Sequence, residues 1–277
     1  MTVTRARRQL AGALALSWLL VQPLWASAQP NAPGPLHGSD TRRSGFVFMS
    51  PSTQALQRDD AQNPVMLWVS DGRKRWDEPP AGAANAHGVK SCAACHGALD
   101  SSMRGVAARY PAWDDRLGAP VNLQRRINLC RERHQAQSPL ASEDDAMLAI
   151  EAAIAMQSRG LPLAKPDDAR LKPALERGAA LFAQRLGQLS LSCAQCHEQH
   201  AGGRLGGSPI PEGHPTAYPT YRLQWQAPGS LARRLRGCLT GVRAELLPAM
   251  SSEMIDLELF LQARAAGMLH EGPGVRP

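Results

Sequence analysis

Apolar residues recur at three- and four-residue spacing over residues 145–159 and 253–266, the pattern of a helix with one buried face. Each stretch ends at a glycine, Gly160 and Gly267, in the place of a helix C-terminal residue. Asp168 to Gln184 predicts another helix. Leu231 onward predicts one more, entered through Ser230 as N-cap after a Pro-Gly turn. Asn63 to Val69 is the only strand-like stretch, and it reads equally well as the start of a helix. The N-terminus has a different pattern. Arg5, Arg7 and Arg8 precede an apolar core, Leu10 to Leu20, and Ala26-Ser27-Ala28 supplies small residues for cleavage. That layout predicts an export signal over residues 1–28 and a periplasmic mature protein. The apolar core is too short for a stable membrane span, and no later segment is long and apolar enough for one.

Residues 29–55, rich in Pro, Gly, Ser and Arg, predict an extended lead-in. Beyond them the chain repeats itself. Each half carries a Cys-x-x-Cys-His motif, a loop-rich interval, a lone cysteine and then one of the periodic helices. Ile150-Glu151 and Leu257-Glu258 follow their lone cysteines, Cys130 and Cys238, at nearly the same distance. Leu161 to Pro166 reads as a linker, dividing the chain into residues 56–164 and 165–277. Aromatic residues are scarce and Ala and Leu common, so the expected fold class is all-α: two tandem cytochrome c-like domains, each with one covalently bound c-type haem. Domains this small and loop-rich have thin cores, and a buried haem supplies apolar contact that the chain lacks.

The haem expectation rests on the motifs Cys92-Ala-Ala-Cys95-His96 and Cys193-Ala-Gln-Cys196-His197. In such a motif the two thiols bind the haem as thioethers, and the adjacent histidine reaches the iron from the same side. His96 and His197 are therefore the candidate proximal ligands. The distal side is open. Met103, Met147 and Met156 are available in the first half, Met250 and Met254 in the second, and His134, His200 and His214 offer a bis-histidine alternative. Only Cys130 and Cys238 recur in register. They read either as thiolate ligands or as a disulfide.

Charge changes the picture little. The net charge of +7 falls to +4 without the three arginines of the export signal, and haem propionates reduce it further. No interleaving of basic and aromatic residues points to nucleic acid. One local feature matters more. Arg234 precedes Cys238 by one helical turn, where a guanidinium favours thiolate over thiol and offers a fork to an oxyanion. Arg222, Arg233, Arg236 and Arg243 add to the local positive field, and Arg233 and Arg236 read as a solvated face.

The run Tyr218-Pro219-Thr220-Tyr221-Arg222-Leu223-Gln224-Trp225, with Ser230-Leu231, Arg234, Cys238, Val242-Arg243-Ala244-Glu245, Leu257-Glu258-Leu259 and Val275-Arg276-Pro277, resembles the C-terminal domain of SoxA. Asn63-Pro64 and Arg126-Ile127-Asn128-Leu129-Cys130 resemble its N-terminal domain. The resemblance implies an L-cysteine S-thiosulfotransferase of bacterial sulfur oxidation. Thiosulfate would be joined to a cysteine of the carrier SoxYZ, with two electrons passing through haem to a cytochrome c acceptor. It implies a SoxX cytochrome partner, two c-type haems, and irons ligated by His96 with Cys130 and by His197 with Cys238. It also implies that Cys238 is the catalytic cysteine, in persulfide form, and that Arg234 binds substrate. Two other readings compete: a dihaem thiosulfate dehydrogenase making tetrathionate, with cysteine ligation at one haem only, and a plain electron carrier with methionine or histidine distal ligands.

Overall fold

The repeat is visible in the order of the helices. The computed structural model describes residues 41–80 and 89–277, so the expected export signal and the start of the lead-in lie outside the described residues. The helices are α1 (Pro51–Arg58), α2 (Met66–Asp77), α3 (Cys92–His96), α4 (Leu99–Ser102), α5 (Leu123–His134), α6 (Asp145–Met156), α7 (Lys172–Ala183), α8 (Leu231–Gly241) and α9 (Ser252–Arg264). Among them lie short strands, β1 (Ala112–Asp114), β2 (Ala119–Val121), β3 (Arg204–Leu205), β4 (Ser208–Pro209), β5 (Thr220–Arg222), β6 (Ala227–Gly229) and β7 (Gly274–Arg276). Helices dominate, as expected, but the strands make three small sheets that an all-α label omits: β1–β2, β3–β4 and β6–β5–β7. Proline explains two of these ribbons. Pro111 and Pro219 enter them and Pro120 and Pro228 sit inside them, all in segments where the missing N–H and the pre-proline restriction oppose a helix.

In each half an early helix crosses a late one: α2 packs on α6, and α7 on α9. Both crossings depend on a glycine. A Cβ on Gly72 would sit 2.0 Å from the Ala149 carbonyl oxygen, and one on Gly178 would sit 2.1 Å from that of Asp256. Neither distance is sterically possible, so the two backbones touch only because no side chain intervenes. The late helices are the core of the molecule, with Met147 and Met254 fully buried. Gly160 and Gly267 end these segments with φ of +77° and +86°, the left-handed cap that the sequence predicts.

The residues read as a lead-in are folded from Gly45 onward. A 3-10 turn (Gly45–Phe48) and α1 pack beside β7, and Gln57 accepts from the Val275 N–H at 2.9 Å. Two helix caps, at Ser44 and Ser50, nucleate structure in a segment whose composition suggested none. The linker is tied down as well. Leu163 donates to Met268, Gly267 to Leu163 and His270 to Leu161, each at 2.8 Å. The N-caps of α5 and α8 reach across between the halves: Asn122 Nδ2 donates to Glu258 at 2.9 Å, and Ser230 Oγ to Glu143 at 2.5 Å.

Candidate functional site

In the first half, Ser91 caps α3 by accepting from the Ala94 N–H at 3.1 Å, which winds Cys92, Cys95 and His96 into one turn. All three line a cavity of about 1090 Å³ that also contains Cys130 from α5. Its volume lies just above the roughly 300–1,000 Å³ usual for cofactor sites. Val106, Leu123, Ile127, Ile150 and Ile154 give it apolar walls, and Lys74, Arg75, Lys90 and Arg109 give it a basic rim. That donor set fits a flat apolar macrocycle with two carboxylates. Trp76 lies 5.6 Å from the His96 ring, centroid to centroid, and donates to the Gly97 carbonyl at 3.0 Å. Burial pushes the Cys92 thiol up, with Cys130 beside it adding to the rise. Burial raises Cys130 too, against the pull of Arg126 and Arg133.

The second motif begins with a reciprocal cap. Gln195 N–H donates to Ser192 Oγ at 3.2 Å, and Ser192 N–H to Gln195 Oε1 at 2.9 Å. His197 then donates Nδ1–H to the Pro211 carbonyl at 2.7 Å. A carbonyl only accepts, so this bond fixes the tautomer and leaves the Nε2 lone pair free for a metal. Burial lowers the His197 pKa, which keeps the ring neutral, as ligation requires. Burial and the neighbouring Cys238 push Cys193 up to about 11. Phe182, Leu257 and Leu261, with Leu235 against them, form an apolar wall.

Cys238 comes from α8, whose N-cap is Ser230 as predicted, accepting from the Arg233 N–H at 3.1 Å. The thiol is half-buried. Arg233 stacks on Trp225 at 4.2 Å and lies 3.8 Å from Glu143, while Arg234 makes no ion pair and no side-chain hydrogen bond among the described residues. Arg236 is not simply part of a solvated face, because its Nε is buried without a partner. All six cysteines are free, and Cys130 and Cys238 each sit with the motif of their own half. That separates them from one another and removes the disulfide reading.

Comparisons with known proteins point to one family. The family model for the SoxA/TsdA cytochrome c domain matches twice, at residues 71–163 and 177–269. The L-cysteine S-thiosulfotransferase subunit SoxA of Rhodovulum sulfidophilum is 35% identical, covering 88% of this chain and 85% of its own. That of Pseudaminobacter salicylatoxidans is 34% identical, covering 87% and 82%. The chain belongs to the SoxA family. Its two matched stretches are tandem cytochrome c domains, the class that carries c-type haem. The crystal structure of SoxXA from P. pantotrophus superposes with a TM-score of 0.79 at 33% identity, covering 85% of this chain and 87% of that one.

Within the SoxA frame the other candidate ligands can be located. Met103 and His134 line the first cavity together with Cys130. Met147 and Met254 are core residues of α6 and α9, and Met156 closes α6. Met250 belongs to the second half by sequence but packs on the first-half core, with Asn128 Nδ2 3.8 Å from its sulfur. His200 is exposed, and His214 sits 3.5 Å from Glu212. The sequence expectation rests on spacing after the lone cysteines; the structure extends the repeat backward from them without a gap. Tyr110-Pro111 and Tyr218-Pro219, Ala119-Pro120 and Ala227-Pro228, the caps Asn122 and Ser230, Arg125-Arg126 and Arg233-Arg234, and Cys130 and Cys238 all match at one constant offset. This alignment, present in the sequence, would have identified Arg126 as the counterpart of Arg234.

Proposed function

We propose that the protein is the dihaem catalytic subunit of a periplasmic L-cysteine S-thiosulfotransferase. The observation that carries this reading is the half-buried Cys238, one helical turn from an unpaired Arg234, in a chain of the SoxA family. Cys92, Cys95, Cys193 and Cys196 would form the thioethers. His96 with Cys130, and His197 with Cys238, would hold the two irons. The recurrence of Cys130 and Cys238 in register supports cysteine over Met103 or His134 as the first distal ligand.

A carrier thiol and thiosulfate give a cysteine S-thiosulfonate, one proton and two electrons. Bound haem supplies the one-electron acceptors for this oxidation. Arg234 holds the dianion near Cys238 through charge-assisted hydrogen bonds. Cys238, as a persulfide, would bond thiosulfate through its outer sulfur as the two electrons leave, and the carrier thiolate would then take the thiosulfonate group and release the persulfide. A SoxX-type cytochrome is the expected partner, because the SoxXA structure is a close match over most of both chains. A SoxYZ-type carrier and a cytochrome c acceptor complete the system, and residues 1–28 direct export.

The test combines intact mass, peptide mapping and an assay. Two haem adducts on the mature chain, one extra sulfur on Cys238, and thiosulfate turnover that requires the carrier are expected. Tetrathionate formation without carrier would assign a thiosulfate dehydrogenase instead. Two haems with no response to thiosulfate would leave an electron carrier.

A further inference from the structure

The ungapped repeat contains one position where the two halves carry opposite charge. β1 ends at Asp114, which pairs with Ala119; β5 ends at Arg222, which pairs with Ala227 in the same register. The ribbon turns agree as well, with Gly118 and Gln226 both left-handed at φ of +60° and +52°. Asp114 and Arg222 therefore occupy equivalent places, each before a helix that carries its arginine one turn ahead of its cysteine.

In the first half the acid neutralises that arginine. Arg126 lies 2.8 Å from Asp114 and donates Nε–H to the Tyr110 hydroxyl at 3.2 Å, and Arg133 approaches Asp114 at 3.8 Å. Asp114 itself is only 3% exposed. Burial opposes its charge, but the Leu117 N–H and the two arginines hold its carboxyl below the usual range. Arg126 is committed to the protein and has little left to offer a ligand.

In the second half the acid is gone. Arg222 is half-buried, and among the described residues its Nε has no hydrogen-bond partner and its only polar side-chain contact is a long one to Gln224 at 3.5 Å. It lies over Trp225 at 5.2 Å. The groups that act on its charge are Arg234, Tyr218, Cys238 and Arg276, with no carboxylate among them. Two guanidiniums brought together without a counter-ion are unfavourable unless an anion completes them. Planar forks of this kind match a tetrahedral oxyanion.

We propose that Arg222 is a second substrate-binding residue, which with Arg234 clamps the sulfonate end of thiosulfate beside Cys238. The first site lacks this function because Asp114 occupies the equivalent position. This inference rests on the thiosulfotransferase reading and names which residues select the dianion.

The decisive variant is Arg222→Asp in the purified dihaem complex, since it re-creates the first-half pair. We expect it to load both haems and to melt no lower than wild type, because a like-charge repulsion becomes an attraction. We expect its KM for thiosulfate to rise roughly ten- to hundredfold, the loss of a charge-assisted contact. Thiosulfate should also fail to perturb the electron paramagnetic resonance signal of the second haem. Arg222→Lys should retain affinity within a fewfold of wild type. If Arg222→Asp loses haem, Arg222→Gln removes the charge without adding an acid and keeps the same KM expectation. An unchanged KM with a shifted potential of the second haem would mean that Arg222 serves a haem propionate, overturning the inference and leaving the transferase reading intact. An unchanged KM and an unchanged potential would overturn it equally. A wild-type protein that transfers nothing to its carrier would instead defeat the reading beneath it.

Discussion

The two cysteine helices, α5 and α8, share a frame: a polar N-cap, a leucine, two arginines, and a cysteine one turn beyond the second arginine. They differ in what faces that second arginine. In α5 it is Asp114, at 2.8 Å; in α8 it is another arginine. The motif alone therefore does not set the chemistry, because the same side chain is a structural cation in one half and a free fork in the other. The histidines differ similarly. His197 is oriented by a 2.7 Å bond to Pro211, whereas His96 is exposed and rests against Trp76.

The strongest way to break the comparison is to exchange the cysteines for serine. Cys238→Ser should lower thiosulfate transfer at least about a hundredfold, as loss of a covalent nucleophile does, while both haems stay covalently attached. Cys130→Ser should alter the spectrum of the first haem yet leave the sulfur adduct on Cys238 visible by mass. Equal effects of the two substitutions on that adduct would contradict a division of labour.

The next test places the second-half charge in the first half. Asp114→Arg removes a buried carboxylate and leaves Arg126 and Arg133 facing a third cation. A loss of about 3–4 kcal/mol is expected, discounted at the upper end because Arg126 is partly exposed. Thermal melts should thus fall for Asp114→Arg and not for Arg222→Asp. Movement in the same direction would mean that the two positions are not electrostatic counterparts.

A third test asks whether the halves are equally well packed. Gly72→Ala and Gly178→Ala each force a methyl group to within about 2 Å of a carbonyl oxygen across the helix crossing. Backbone on both sides leaves little room to yield, so each should cost about 3 kcal/mol. Urea melts showing only one of them to be costly would identify the half that limits stability.

The helices that frame the sites were legible from periodicity, from caps such as Ser230, and from the paired terminal glycines. The motifs carried the haem chemistry because attachment requires those residue types at that spacing. Other features were hidden for physical reasons. The order over residues 44–58 comes from contacts with a strand more than two hundred residues away, which composition does not register. The sheets are too short for period-two alternation to emerge. The Asp114 and Arg222 contrast lies outside any motif and becomes meaningful only when the ribbons are superposed.

The last expected effect concerns a pair of buried carboxyls that recurs in the two halves, Glu151 on α6 and Glu258 on α9. Burial pushes Glu151 up to about 7 and Glu258 up to about 8, although Gln124 and Asn122 donate to them at 2.7 and 2.9 Å. Both pKa values are raised relative to the unfolded chain, where an ordinary glutamate titrates near 4.5. Their contribution to stability is therefore complete below about pH 4.5 and is lost as pH rises through 7 and 8. His270 acts in the opposite sense: burial lowers it to about 4, so acid weakens the fold below its ordinary value of 6.5. A melt of the wild type alone mixes the two trends. The difference between wild type and Glu258→Gln isolates the carboxyl, since His270 is common to both. That difference should favour the variant increasingly from pH 5 to pH 8, by about 3 kcal/mol in total. A flat difference would mean that Glu258 is ionised throughout, with a cation or ordered water compensating its charge between the halves.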